Sequence, residues 1–429
     1  MRTLIKNGKI VTQNSKREIV DGDILIENDR IISIGKCSES ADKIIDASGD
    51  IVLPGLINTH THVSMTSLKG LVDDVTFPAF LDKVFHLDDI RTPRDLEAGA
   101  AQGCIEMIRS GTTTFLDLYY SEDIIAKAVE RSGIRGVLGW AVLDQQFTTQ
   151  KGDPLDNCKR FYNEFKDHDR IYPAVGLQGV YVCSTETFTR AKEFALEEDL
   201  TLTFHLSETR KEVSDCKKKE GFRPGDYLAN IGFFNDHCVA AHSAWLTMNE
   251  VRAMAAAGVK VSSCPVSNMK LATGGVAPIP EMIDAGMTVS LGTDGSTTNN
   301  SLDLFGEMKF VSLLQKSSRW DPTILPAQQV LDFTTINAAK ALRMDSKIGS
   351  IEAGKKADII ILDGKAPNLR PIFPETLVSN IVYSSYGLNV KTVLCDGKVV
   401  MKDNVIQTID EWKELEEANA AAQELHESI

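Results

Sequence analysis

Short apolar runs alternate with amphipathic segments of helical length through the middle of the chain. This alternation favours βα units and a parallel sheet. The runs that read as buried strands number eight, which is the number that a closed (β/α)8 TIM barrel requires. They cover residues 56–59, 112–118, 136–142, 172–177, 202–205, 239–241, 259–262 and 288–291. The predicted helices between them include residues 93–109, 121–132, 186–197, 249–256 and 280–285.

Both ends of the chain follow a different pattern, with short segments rich in Ile and Val that read as strands. These are residues 3–11, 23–34 and 43–53 near the beginning, then 357–362 and 390–401 near the end. The dipeptides Asn7-Gly8, Asp21-Gly22 and Asn28-Asp29 are turn signals in the first group, as is Asp396-Gly397 in the second. The recurrence of one pattern at both ends predicts a single smaller domain that both ends build.

The predicted fold is therefore of the α/β class, a (β/α)8 TIM barrel with a smaller β-sandwich domain formed by both chain ends. The sandwich comprises residues 1–53 and 351–405, the barrel residues 54–350, and a C-terminal helix residues 406–429. Glu411, Glu414, Glu416 and Glu417 alternate with apolar residues in that helix. Such spacing is typical of a solvated helix face.

Composition and charge limit the classes of function. Hydrophobic residues make up 43% and charged residues 25% of the 429-residue chain, which is ordinary for a soluble globular protein. The net charge of −14 argues against nucleic acid or an anionic membrane as a main partner. No apolar run approaches the length of a membrane span or a signal peptide, and the eight cysteines are scattered. We therefore expect reduced thiols and a cytoplasmic location.

Side chains that can bind a metal ion stand where predicted strands end. His60 and His62 form a His-x-His pair after the first strand, and alternate residues of an extended segment point to one face. His205 ends the fifth strand, His242 follows the sixth and Asp294 follows the eighth. Barrel enzymes carry their sites at these C-terminal strand ends. Imidazole and carboxylate ligands suit zinc or iron, so the set predicts a catalytic metal site.

The motifs around these residues resemble the amidohydrolase superfamily over nearly the whole chain. They are LPGLINTHTH at 53–62, His205-Leu206-Ser207-Glu208, Ala241-His242, Gly292-Thr293-Asp294 and GSIEAGKKAD at 349–358. The branch they resemble most is that of methylthioadenosine/S-adenosylhomocysteine deaminases and related aminohydrolases. Residues 268–272 and 299–302 are similar to that branch as well.

This resemblance implies one divalent metal ion per subunit, with zinc preferred and iron as the alternative. It implies His60, His62, His205 and Asp294 as metal ligands, and proton-handling roles for Glu208, His242 and Asp294. Superfamily members with two metals usually bridge them with a lysine on the fourth strand, and residues 172–177 contain none. The resemblance also implies a small heterocyclic substrate, water as co-substrate, and a homo-oligomer, either dimer or tetramer.

Three positions depart from the pattern of the branch. Gln178 replaces a histidine that helps to bind substrate in relatives, although an amide can still donate and accept hydrogen bonds. Trp140 stands where relatives for S-adenosylhomocysteine carry an arginine, and it is either a pocket residue or a core residue. Ser263-Cys264-Pro265 replaces a His-Asn-Pro sequence. The candidate substrate contacts are Glu208, His242, Gln178 and Trp140. The departures at the last two weaken the case for a substrate that carries a carboxylate.

The leading hypothesis is hydrolytic deamination of an adenosine-type nucleoside such as methylthioadenosine, S-adenosylhomocysteine or adenosine. The alternative is an aminohydrolase or chlorohydrolase of another nitrogen heterocycle, of the guanine, pterin, cytosine or triazine type. A non-catalytic scaffold on a hydrolase fold is a third hypothesis. The presence of every expected ligand argues against that third hypothesis.

Overall fold

The computed structural model describes residues 1–428, so Ile429 of the predicted C-terminal helix lies outside the described residues. The strands in chain order are β1 (Arg2–Val11), β2 (Ile19–Glu27), β3 (Arg30–Gly35), β4 (Lys43–Asp46), β5 (Ile51–Pro54), β6 (Leu56–Thr61), β7 (Thr112–Tyr119), β8 (Arg135–Val142), β9 (Ile171–Leu177), β10 (Leu202–Leu206), β11 (Cys238–His242), β12 (Lys260–Ser263), β13 (Val289–Leu291), β14 (Ile359–Leu362), β15 (Val390–Cys395), β16 (Lys398–Lys402) and β17 (Val405–Ile406).

The helices are α1 (Phe77–Ile90), α2 (Pro93–Arg109), α3 (Glu122–Ser132), α4 (Pro154–Phe165), α5 (Thr185–Glu197), α6 (Arg210–Glu220), α7 (Pro224–Asn230), α8 (Met248–Ala256), α9 (Pro265–Lys270), α10 (Ile279–Asp284), α11 (Leu304–Arg319), α12 (Ala327–Phe333), α13 (Ile336–Ala341), α14 (Pro374–Ser384) and α15 (Glu411–Glu427). None of the helices in residues 1–428 is long and apolar enough to span a membrane.

Strands β6 to β13 form one parallel sheet in chain order, which confirms the predicted barrel. The two edge strands meet where the backbone N–H of Asp294 donates to the carbonyl of His60 at 2.9 Å. Gly292 permits this approach, because a Cβ there would lie 2.5 Å from the Cβ of His60. Closure of the barrel therefore brings the first and eighth strand ends together.

Polar side chains inside the barrel hold that closure. The Thr59 hydroxyl bonds the hydroxyls of Ser262 at 2.7 Å and Ser290 at 2.9 Å. The Asn58 amide donates to the Thr293 hydroxyl at 2.7 Å. All of these groups are buried, so each needs an internal partner. They tie β6 to β12 and β13 directly below the predicted ligands.

The chain ends build one mixed sheet of nine strands, as the repeated pattern predicts. Its order is β17-β16-β15-β14-β5-β1-β2-β3, with β4 also paired to β1. Antiparallel pairing of β14 with β5 joins the late strands to the early ones. Ile5, Ile24, Ile45, Ile359 and Leu394 belong to the small apolar core of this domain. Residues 351–405, predicted for the β-sandwich, also contain the helix α14. This helix contacts α11 and α12.

Candidate metal centre and active site

Three imidazoles and one carboxylate converge at the C-terminal end of the barrel. The Nε2 atoms of His60 and His62 lie 3.5 and 3.2 Å from Oδ1 of Asp294. The Nε2 atom of His205 lies 3.3 Å from that of His62. His60 and His62 lie at or just after the end of β6, His205 lies near the end of β10, and Asp294 follows β13. The structure thus brings together all four residues that the resemblance implies as ligands.

Backbone carbonyl groups orient two of these rings. Nδ1 of His62 donates to the carbonyl of Leu118 at 2.6 Å, and Nδ1 of His205 donates to the carbonyl of Gln178 at 2.7 Å. These bonds place a proton on each Nδ1 and turn the two Nε2 atoms toward each other, at 3.3 Å, with that of His62 also 3.2 Å from Asp294. Histidine ligands of metal ions are commonly held in this way.

His60 is fully buried, and neither of its ring nitrogens has a hydrogen-bond partner among the described residues. Burying two unpaired polar atoms is costly, so they need a partner that the protein itself does not supply. Ligand atoms of His60, His62 and Asp294 lie within 4.8 Å of one another. A divalent metal ion fits this donor set, because neutral imidazoles and a carboxylate are zinc and iron ligands.

Asp294 remains ionised in this surrounding. Burial alone disfavours its charge, but the close approach of the His60 and His62 imidazoles holds the pKa of Asp294 well below its usual value. Burial likewise opposes a charge on His62, yet Asp294 outweighs it and raises the pKa of His62 to about 9. The Ser267 and Thr298 hydroxyls donate to the other oxygen of Asp294 at 2.5 and 3.0 Å.

Glu208 and His242 face each other beside the four converging residues, with 3.8 Å between Oε2 and Nε2. Burial raises the pKa of Glu208 to about 8, and the charge of Asp294 adds to this. Burial lowers the pKa of His242, so its ring is neutral. The Asn268 amide contacts Nδ1 of His242 at 3.3 Å, and donation there leaves the ring proton on Nε2.

Two of these residues have strained backbones. His242 and Asp294 have φ angles of 64° and 63°, in the left-handed region that non-glycine residues rarely adopt. Each such residue costs roughly 1–3 kcal/mol and is common where a site needs a particular orientation. His242 ends β11 and Asp294 lies in the loop after β13, and the left-handed backbone there turns both side chains toward the candidate metal site.

A cavity of about 870 Å³ opens onto this group, with His62, His205, Glu208, His242 and Asp294 in its wall. Its size is in the range of small-molecule sites. The rest of the wall comes mainly from α1, from residues 146–150 and from α6. Apolar side chains of α1 form one side of it, namely Phe77, Phe80, Leu81, Val84 and Phe85.

Of the four predicted substrate contacts, Glu208 and His242 line the cavity, and the other two, Gln178 and Trp140, differ in position. Gln178 lines the cavity, and its amide donates to the Tyr181 hydroxyl at 3.2 Å. Trp140 does not reach the cavity wall: its ring packs 5.8 Å from that of Phe161, and its indole N–H donates to Gln150 at 2.8 Å. The core-packing alternative therefore describes Trp140, and Gln150 occupies the wall in front of it.

Several residues that support the site escape sequence reasoning. Ser267 and Thr298 bond Asp294, and the carboxylate of Glu212 accepts the backbone N–H groups of Ser207 and Glu208 at 2.9 and 2.8 Å. For Ser267 and Thr298 the only signal is their place next to the family-like segments 268–272 and 299–302, and for Glu212 it is the place four residues after Glu208. Common residue types without a spacing pattern cannot be identified as site residues from one sequence.

A (β/α)8 barrel with histidines and acids at its C-terminal strand ends is the architecture of a barrel enzyme. The chain belongs to the Amidohydrolase family, because residues 51–400 match the model of that family. It is accordingly a hydrolase that acts on carbon–nitrogen bonds other than peptide bonds.

The chain is similar to named deaminases and to a solved structure over nearly its whole length. The chain is 42% identical to a 5'-deoxyadenosine deaminase of Methanosarcina mazei over 428 residues, which is 98% of each chain. It is 37% identical to a 5-methylthioadenosine/S-adenosylhomocysteine deaminase of Thermodesulfovibrio yellowstonii, over 97% of each chain. The structure of an adenosine deaminase from Xanthomonas campestris with bound zinc matches with a TM-score of 0.95 and 27% identity, over 99% of this chain and 98% of that one.

Proposed function

We propose that this protein is a metal-dependent hydrolytic deaminase of adenosine-type nucleosides, with one divalent ion per subunit and zinc as the preferred ion. The observation that carries the proposal is the convergence of His60, His62, His205 and Asp294 beside Glu208. All of these except the fully buried His60 line one cavity. Relatives that share about 40% of the sequence over its full length are named for this reaction.

In the proposed reaction, the oxygen of water bonds to the ring carbon that carries the amino group, and the carbon–nitrogen bond breaks to release ammonia. A divalent ion held by the three histidines and Asp294 supplies Lewis-acid chemistry that lowers the pKa of water toward neutrality. Glu208 accepts a proton from the water and passes it to the adjacent ring nitrogen. A pKa near neutrality suits a group that must both accept and donate.

His242 and Asp294 complete the proton transfers in this proposal. The Nε2–H of His242 donates to the attacking oxygen, which the contact with Asn268 favours by leaving the proton on that nitrogen. Asp294 orients the water and relays its second proton to the departing amino group. The left-handed backbones at both residues support these roles, because strain of this kind is common at functional sites.

The remaining cavity wall supports a substrate with an uncharged 5' substituent. With the base at the candidate metal site, that substituent lies against the walls farther away, where α1 supplies apolar side chains. Among the described lining residues, the lysines and arginines are Lys211 and Lys219. Lys211 pairs with Asp215 and Lys219 pairs with Glu220 at 3.0 Å. We therefore place 5'-deoxyadenosine and methylthioadenosine ahead of S-adenosylhomocysteine as substrates.

A substrate panel scored for ammonia tests the reaction, with metal content measured on the same protein. We expect release from 5'-deoxyadenosine and methylthioadenosine, accompanied by the change in ultraviolet absorbance of the purine. Guanine, pterin and cytosine substrates test the alternative aminohydrolases, and halide release from a chlorotriazine tests the chlorohydrolase. Absence of ammonia from every adenosine-type compound, in metal-loaded protein, would contradict the proposal.

Glu208→Gln tests the proton shuttle. The amide cannot accept and pass on a proton, so we expect turnover to fall by about 10²–10⁴-fold while metal content stays unchanged. The exposed Glu164→Gln on α4 is the matched control and keeps the parent rate. An undiminished rate in Glu208→Gln would exclude Glu208 as the shuttle.

A further inference from the structure

Asp117 is a buried carboxylate on β7 that the proposed reaction does not use. It lies opposite Thr61 in the parallel pairing of β7 with β6. The pairing register shifts between Asn58 and Thr61, so β6 becomes irregular where the His-x-His pair begins. An irregular strand end lacks part of its ladder of backbone hydrogen bonds and needs other contacts to fix its side chains.

Asp117 supplies contacts on both sides of His62. Its Oδ1 atom accepts from the Thr61 hydroxyl at 2.5 Å and from the Val63 backbone N–H at 2.7 Å. The carbonyl of Leu118, the next residue on β7, accepts from the His62 ring at 2.6 Å. Two consecutive residues of β7 therefore hold the residue before His62, His62 itself and the residue after it.

The burial of Asp117 argues that this arrangement has a use beyond folding. Asp117 has no solvent-accessible surface, and its Oδ2 atom has no hydrogen-bond partner among the described residues. An incompletely paired buried carboxylate lowers the free energy of unfolding, whereas an apolar residue of similar size would not. Local costs of this kind are expected at functional sites.

We propose that Asp117 is a positioning residue that fixes the direction of the His62 imidazole for metal binding. This inference rests on the metal site of the proposed function. Asp117 bonds the residues on either side of His62 and not its ring, so it acts through Thr61, Val63 and the strand end that they form. Mutation of a residue that orients a metal ligand typically lowers metal affinity or activity by about 10–100-fold.

Asp117→Ala tests the inference through metal affinity, measured by competition with a chelator of known zinc affinity. We expect the dissociation constant for zinc to rise by about 10–100-fold. The absorption spectrum of the cobalt(II)-substituted protein should also change, because the ligand geometry changes. Asp117→Asn keeps an oxygen that can accept both bonds, so we expect its affinity to stay within about threefold of the parent.

The matched control is Thr112→Val at the opposite end of β7. The Thr112 hydroxyl is buried and has no partner among the described residues, so its removal leaves metal affinity unchanged. Should Asp117→Ala fail to fold, Thr61→Val removes one of the two bonds to Asp117 and should weaken zinc binding several-fold. Parent-like affinity and cobalt spectrum in folded Asp117→Ala, or in Thr61→Val when the former does not fold, would overturn the inference. A parent protein that binds no metal would instead refute the proposed metal site.

Discussion

Glu307, on α11, connects the loop after β13 to the first turn of α9, which follows β12. Its carboxyl group accepts from the Asn299 amide at 2.6 Å and from the Val266 backbone N–H at 3.4 Å. Asn299 also donates to the carbonyl of Thr293, next to Asp294. Burial raises the pKa of Glu307 from 4.5 to about 8, although both hydrogen bonds oppose the change. The folded protein therefore keeps this group protonated where the unfolded chain ionises it.

The stability of the protein should depend on pH through Glu307. Because its pKa is raised in the folded state, its contribution is fully present below the unfolded pKa and is lost as pH rises toward about 8. Glu307→Gln does not titrate, so its free energy of unfolding should increase relative to the parent between about pH 5 and about pH 8. Urea unfolding at several pH values measures this. Parallel curves for parent and variant would contradict the prediction, and Glu164→Gln serves as the exposed control.

At the residue scale, the sequence predicts the convergence of the four candidate ligands because their residue types are distinctive and each stands at or just after a strand end. The contacts of Trp140 could not be predicted in the same way. An aromatic residue at the end of a strand can point into the cavity or into the surrounding helices, and only the packing against Phe161 distinguishes the two. Asp117 and Glu307 carry no spacing pattern at all.

At the element scale, α15 differs from the solvated helix that its acids predict. Ala418 and Ala421 pack against Ala98 of α2 in a small apolar cluster. Four of its acids pair with arginines of neighbouring helices: Glu411 with Arg109, Glu414 with Arg131, and both Glu417 and Glu424 with Arg94. The arginines lie far away in the sequence, so the pairing could not be predicted from the helix alone.

The pair Arg109–Glu411 should contribute measurably to the docking of α15. Arg109 donates two hydrogen bonds to the carboxylate, and the Glu411 side chain is 14% exposed. A double-mutant cycle with Arg109→Ala and Glu411→Ala should give a coupling of roughly 0.5–1 kcal/mol in urea unfolding, weakened by salt. The more exposed pair Arg94–Glu417 is the control and should give less. Equal coupling in both pairs would contradict the importance of burial.

The eight barrel strands could be predicted because each is a short apolar run between helical segments, and the predicted α2 has the observed bounds. Local turn chemistry was less reliable. Asn7-Gly8 lies within β1 at a bulge and Asp21-Gly22 lies within β2, so neither of these two dipeptides ends a strand, whereas Asn28-Asp29 and Asp396-Gly397 do connect strands. The predicted strand 23–34 is divided at Asn28, where φ is 55°. The helix α1 is absent from the predicted helices, because its apolar residues face both the core and the cavity and do not form a single apolar face.

At the scale of the whole molecule, a buried group of charges joins the barrel to the sheet domain. Arg135 begins β8, at the end of the barrel opposite the candidate metal site. Its guanidinium pairs with Asp358, just before β14, and with Asp396, between β15 and β16. Lys356 also pairs with Asp396, at 2.7 Å. These contacts connect the two domains without touching the cavity.

Arg135→Met should therefore separate stability from metal binding. Removing the guanidinium leaves two buried carboxylates short of a partner, which typically costs about 3–5 kcal/mol. We expect a clear fall in the thermal unfolding temperature, with zinc affinity unchanged at temperatures where the variant is folded. Calorimetry and chelator competition on the same sample measure both. A parallel loss of zinc affinity would show that the two ends of the barrel are coupled.

The antiparallel pairing of β5 with β14 has a consequence for biosynthesis. About 300 residues separate these strands, and a ribosome adds about 5–20 residues per second, so β5 emerges roughly 15–60 s before its neighbour exists. Throughout that interval Ile51, Val52 and Leu53 form a hydrophobic edge that can capture a strand of another nascent chain. The amount of a chaperone that shields such edges should therefore limit the fraction of newly made polypeptide that reaches its native form.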